Sequence, residues 1–212
     1  MRIAIRALAE LAPDFILAPE RHVLARGAVA GGDGVPLGDL VVERRERIDP
    51  NMSADAVVLD TSHARDGILD VAGALRDGAG GKSLKKRAAA GDLIVSRLRP
   101  YLRQIAFVHP KAMAMAAGRP LALSTEYYVL APREEGGELA FLVPFLLSAA
   151  AQAALAGAQE GGHHPRVPRS SLFALRVPRS VIGARAATSR AVHDALADAY
   201  RASARLRGLL DG

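Results

Sequence analysis

Two stretches of the sequence gather side chains suited to gripping an anion. The first runs from Lys82 to Arg103 and holds Lys82, Lys85, Lys86, Arg87, Arg97, Arg99 and Arg103, with Asp92 as its single acid. A guanidinium grips a phosphate through two parallel hydrogen bonds or reads the O6 and N7 of guanine. An ammonium neutralises a phosphate as a point charge. If Asp92–Arg99 is a strand, Arg97 and Arg99 share one face and Leu98 takes the other. Two guanidiniums side by side repel unless something anionic lies across them. Tyr101, just beyond, offers a phosphate hydrogen bond or an apolar contact. The second stretch is Gly161-Gly162-His163-His164-Pro165-Arg166, a glycine loop that would present His163, His164 and Arg166 to phosphates or base edges. The bland alternative for the arginines is pairing with Glu43, Glu46 or Glu126 on a solvated face.

The charge distribution favours the anionic partner. The net charge is +6, and the Lys82–Arg103 stretch carries all of it, because elsewhere basic and acidic residues balance. A positive field concentrated in this way suits a polyanion such as nucleic acid.

Patterns for catalysis are weak by comparison. Ser124-Thr125-Glu126 supplies a hydroxyl and a carboxylate, but no histidine base lies nearby in sequence and no oxyanion hole is signalled. On a strand, Ser124 and Glu126 would share a face and serve in cross-strand hydrogen bonds. The adjacent His163 and His164 would rarely aim both rings at one ion, and His22, His63 and His109 are scattered, so no metal site is expected. Gly78-Ala79-Gly80-Gly81-Lys82-Ser83 ends like a phosphate loop, yet the earlier glycine that the loop requires falls on Arg76. There is no cysteine, which excludes disulfides, thiolate nucleophiles and cysteine-held zinc. No cofactor is expected.

The elements that must position these residues are read from periodicity. Met1–Arg6 alternates as a short edge strand, and Pro19–Ala25 reads as a short helix. Pro36–Val41 begins a second one. Ala56–Asp60, Asp92–Arg99, Gln104–Val108 and Leu123–Leu130 read as strands, with Pro100 ending or bending the second. Leu139–Ala156 is apolar but rich in alanine, interrupted by Pro144 and without basic flanks; it reads as one or two buried helices rather than a membrane span. Ser170–Phe173 starts a helical turn, and Leu175–Pro178 is extended. From Ser180 to about Leu210 the chain reads as one long helix. Val192, Ala195, Ala199, Ala202, Leu206 and Leu209 recur on it at spacings of three and four. Half the residues are hydrophobic and only 4% aromatic, so the core rests on Leu, Val, Ile and Ala. The N-terminus has no signal-peptide pattern, and a cytoplasmic protein is expected.

Four segments, in this order, resemble the target-recognition domain of type I restriction–modification specificity subunits. Leu37-Gly38-Asp39-Leu40-Val41 looks like the start of that domain. Gly91-Asp92-Leu93-Ile94-Val95-Ser96-Arg97-Leu98-Arg99-Pro100-Tyr101-Leu102-Arg103 is similar to the family's central strand, and Leu123–Leu130 to its Ser-Thr-Glu-aromatic strand. Pro165-Arg166-Val167, Leu172 and Leu175-Arg176-Val177-Pro178 resemble the closing segment. The resemblance implies an α+β domain, with a mixed and mostly antiparallel twisted sheet flanked by short helices, whose loops enter the DNA major groove. A long helix follows as spacer and docking arm. Residues 1–178 would then form the recognition domain and 179–212 the helix. The implied partners are double-stranded DNA and methyltransferase or nuclease subunits that supply all the chemistry. The family usually carries two such domains and two helical regions, so this chain resembles a half subunit. Such a half would pair with a second copy through Val192, Leu196, Ala199, Leu206 and Leu209. After Pro178, Arg179–Gly183 departs from the family's Pro-rich helix start. The alternative is an adaptor subunit of a defence complex that keeps the fold without sequence-specific DNA binding.

Overall fold

The computed structural model describes residues 33–49, 55–78, 83–161 and 165–210. The strand and helix expected within residues 1–25 lie outside this set, as do Lys82, His163 and His164.

Two four-stranded sheets form the framework. One is antiparallel throughout, in the order β2 (Val41–Glu43), β11 (Tyr127–Pro132), β8 (Leu93–Ser96), β9 (Ile105–Phe107). The other runs β3 (Arg47–Ile48), β7 (Lys85–Ala88), β10 (Leu121–Leu123), β4 (Val57–Leu59), and its last pair is parallel. The sheet architecture is therefore the mixed, mostly antiparallel one that the sequence suggests. The inner strands β8 and β11, with β9, are mainly apolar because both of their faces are covered, whereas Val42 on the edge strand β2 is exposed. Leu93, Ile94, Val95, Val129 and Leu130 are all buried in one core with Phe107, Leu121, Leu123, Phe141 and Leu146.

Two expectations about strand length are corrected. The predicted strand Leu123–Leu130 is two strands in different sheets. Leu123 pairs with Lys86 and Leu59, Tyr127 pairs with Ser96, and Ser124-Thr125-Glu126 is the turn between them. The turn is closed by the Tyr127 N–H donating to the Ser124 carbonyl at 3.1 Å. The predicted strand Asp92–Arg99 ends at Ser96.

Chain entry and exit of this region are brought together. β1 (Gly34–Pro36) pairs antiparallel with β12 (Arg176–Pro178), and α1 (Leu37–Leu40) packs on α6 (Arg169–Phe173). Gly38 makes that packing possible, since a Cβ there would come within 2.9 Å of the Phe173 ring. The apolar stretch 139–156 becomes two helices, α4 (Leu142–Leu147) and α5 (Ala149–Gly157), with Pro144 in the first turn of α4 and the Ser148 hydroxyl capping α5. Among the described residues no helix is long and apolar enough to cross a membrane.

The C-terminal helix is interrupted near its start. α7 (Arg179–Gly183) gives way at Ala184 to α8 (Arg185–Leu210), 26 residues long. The first half of α8 lies on the domain. The Tyr200 hydroxyl bonds both the N–H and the carbonyl of Leu69, each at 3.1 Å. The His193 ring meets Phe107 edge-on, with 5.1 Å between centroids, and Glu138 at 2.9 Å. Leu196 is buried here, which corrects its assignment to a partner surface: it faces the chain's own core. Val192 is partly buried against the same core. Beyond Tyr200 the helix leaves the domain, and Leu206 and Leu209 are 59% and 79% exposed.

Candidate nucleic-acid interface

Three of the sequence segments singled out above converge on one end of the antiparallel sheet. The Arg97 N–H donates to the Glu126 carbonyl at 2.8 Å, the Val167 N–H donates to the Arg97 carbonyl at 2.9 Å, and Leu98 bridges Arg166. Arg166 in turn bridges Glu160, which brings this pair beside the Arg97–Arg103 loop. Below them lies Tyr128, whose hydroxyl donates to the Val167 carbonyl at 2.8 Å.

The loop after β8 is held in an unusual backbone conformation. Arg99 and Arg103, at either end of the short turn Pro100–Leu102, have positive φ of 42° and 53°. Non-glycine residues rarely adopt this region, which costs on the order of 1 kcal/mol or more. The surroundings impose it. The Asp66 N–H donates to the Arg103 carbonyl at 3.1 Å, and the Arg103 guanidinium bonds the Asp66 carboxylate and, at 2.9 Å, the Leu147 carbonyl. α5 packs against the turn from the other side. The result is a rigid tip from which Arg99 projects into solvent and on which Tyr101 is 70% exposed. The Arg99 side chain makes no hydrogen bond or ion pair among the described residues.

The remaining candidates divide by environment. Arg87 is exposed and without a carboxylate partner among the described residues. Arg97 is half-buried with its guanidinium over the Tyr128 ring, 5.4 Å from the centroid. Lys85 is corrected outright: strand alternation places it opposite Ile48, and it is 7% exposed, so no phosphate reaches it. Lys86 is paired, donating to Glu43 at 3.1 Å and to the Tyr127 carbonyl at 2.6 Å. Arg103 is the clip just described. Arg166 forms a two-pronged pair with Glu126, at 2.9 and 2.7 Å. Carboxylate pairing thus holds for Lys86, Arg103 and Arg166, while Arg97 and Arg99 escape it. Two contributors carried no sequence signal. Tyr128 is the platform under Arg97 and Lys86, and Arg169 shares Glu43 at 3.0 Å.

The Arg166–Glu126 pair has a consequence for acid stability. The Arg166 hydrogen bonds, helped by the charges of Arg97 and Lys86, hold the Glu126 carboxyl below its ordinary value despite partial burial. A depressed folded-state value stabilises the fold above the unfolded value of about 4.3 and loses that contribution as pH falls through the folded value. Glu126→Gln is therefore expected to lower the melting temperature at pH 6 to 7, and the gap from the parent should close below about pH 4. A gap that stays constant across this range would remove the charge from the account.

No cluster of three or more metal-binding side chains forms among the described residues. No family model matches the chain, and no curated protein does. Solved structures do. A chain from a structure on complex assembly and conformational transition of the type I R-M system superposes with a TM-score of 0.53 and 23% identity, covering 84% of this chain and 46% of that one. The chain shares its fold with this type I R-M protein. The HsdS subunit from Thermoanaerobacter tengcongensis superposes at 0.48 and 23% identity, covering 83% and 44%. The chain spans less than half the length of either.

Proposed function

We propose that the chain is a sequence-specific double-stranded DNA-binding module of a restriction–modification or related defence complex, and that it performs no chemistry itself. The rigid tip carries this reading. Arg99 and Tyr101 are held out in solvent by a strained backbone, on the loop where the basic segment meets Arg166. Strain retained at exposed, unpaired side chains points to use rather than to stability. Arg99 would read a base edge, Tyr101 and Arg87 would contact the backbone, and the tip has the dimensions of a turn rather than a helix entering the groove. The shared fold supports the same reading.

The recognition domain would end near Pro178, and the distal part of α8 would serve assembly. Leu206 and Leu209, exposed past the last contact with the domain, are the surface for a second copy or for the helix of a methyltransferase or nuclease subunit. Selection from a randomised duplex library tests both ideas at once. A consensus bound on the order of 10³-fold above random duplex is the expected result. Paired copies would give a twofold-symmetric consensus, whereas an asymmetric one would count against pairing. A folded protein that enriches no sequence would leave the adaptor reading in its place.

A further inference from the structure

The crossover from β2 to β3, Arg44-Arg45-Glu46, belongs to none of the segments discussed so far. It leaves the antiparallel sheet at the end where β2 finishes and β11 begins, since Glu43 pairs with Leu130 and the Arg44 N–H donates to the Val129 carbonyl. That is also the end from which the Arg97–Arg103 loop emerges, because Tyr127 pairs with Ser96. Beside the crossover lies a cleft of about 390 Å³, lined by Glu43, Arg44, Arg45, Arg47 and Lys86.

The carboxylates of this cleft are already committed. Glu43 accepts from Lys86 at 3.1 Å and from Arg169 at 3.0 Å. Glu46 accepts from Arg44 at 2.9 Å, and Arg44 also grips the buried Asp92. Arg45 and Arg47 are left exposed, and their side chains make no hydrogen bond or ion pair among the described residues. Two residues apart, they line the same cleft. Two unpaired guanidiniums facing one cleft repel each other until an anion separates them.

The shared end of the sheet argues for a polymer rather than a small anion. Lys86, on the cleft side, sits 5.6 Å from the Tyr128 ring centroid, and Arg97, on the tip side, sits 5.4 Å from it. The cleft and the tip therefore lie at the same end of one sheet, on either side of the buried Tyr128 ring, where an extended polyanion would meet both. We propose that the Arg45/Arg47 cleft is a second contact for duplex DNA, gripping the sugar–phosphate backbone beside the stretch read by the tip, irrespective of sequence. The proposal rests on the DNA-binding reading above.

Salt-dependent titration of sonicated random-sequence duplex tests it, comparing the parent with the Arg45→Ala/Arg47→Ala double variant. If each arginine neutralises one phosphate, the slope of log affinity against log salt should shrink by about 1.8. Discrimination between preferred and random sequences should not change. The Arg45→Lys/Arg47→Lys variant should keep most of the slope, because it keeps the charge. Melting temperatures should agree among all three proteins, since neither side chain is paired in the fold. A parent that binds duplex and a double variant with the same slope would overturn the cleft alone. A parent that binds no duplex would overturn the DNA reading and the cleft with it. A tripolyphosphate titration supplies the third arm: loss of tripolyphosphate binding in the double variant with the duplex slope intact would make the cleft a small-anion site and refute the proposal.

Discussion

Asp92→Ala should lower the unfolding free energy by about 3 kcal/mol, the largest single-residue effect expected in the polar framework of the fold. Asp92 is 1% exposed, and its carboxylate accepts from Arg44 at 2.7 and 3.0 Å and from the Ala89 N–H at 2.8 Å. Its backbone ties the same turn to β9, with the Val108 N–H donating to the Asp92 carbonyl at 2.8 Å. Burial pushes the Asp92 carboxyl up from its ordinary value, against the pull of Arg44 and the Ala89 N–H. Alanine at this site would strand a buried N–H and half of a guanidinium. Removing one partner of a buried pair typically costs 3–5 kcal/mol, and the low end applies because Arg44 keeps Glu46 and some solvent. Asp92→Asn, which keeps an acceptor oxygen, should recover part of the loss. Urea denaturation measures both, and a loss under about 1 kcal/mol for alanine would show that the pair merely balances its desolvation.

The second large effect falls on binding and leaves the fold alone. Arg99→Asn should weaken the preferred duplex by about 1–3 kcal/mol while changing random-duplex affinity little. Asparagine tolerates positive φ better than arginine, so the same substitution should leave the melting temperature equal or raise it. Discrimination falls with no fall in stability, which a structural role for Arg99 cannot produce. A variant of lower stability and unchanged discrimination would take the tip out of the interface.

How far the sequence could be read depended on the range of the forces involved. Apolar runs such as Leu93–Val95 and Ile105–Phe107 announced their strands because burial on both faces is written in residue type. The end of β8 was hidden. Alternation continues through Leu98, and the turn beyond the strand is held by the clip between Asp66 and Arg103, 37 residues apart. The switch of sheets at Ser124-Thr125-Glu126 was hidden likewise, since Thr and Tyr favour strand on both sides and only pairing with distant strands separates Leu123 from Tyr127. Counting charges found the basic segment but not its partners. Lys86 and Arg166 meet carboxylates 43 and 40 residues away. Conversely, Glu43-Arg44-Arg45-Glu46-Arg47 holds two acids among three arginines, and only the structure shows that Glu43 goes to Lys86 and Arg169 while Arg44 takes Glu46 and Asp92. On the long helix, the apolar stripe did not reveal that its first half was destined for the chain's own core.

The clip at Asp66 and Arg103 also bears on how such a protein changes over time. The residues that fix the tip's path and the residues that project from it are different ones: Asp66, Arg103 and Leu147 hold the loop, while Arg99 and Tyr101 touch little of the rest of the chain. Exchange at positions 99 and 101 therefore leaves the core intact. Under the DNA-binding reading, a lineage can drift from one target to another through variants that all fold, because preference and persistence of the fold are inherited through separate side chains.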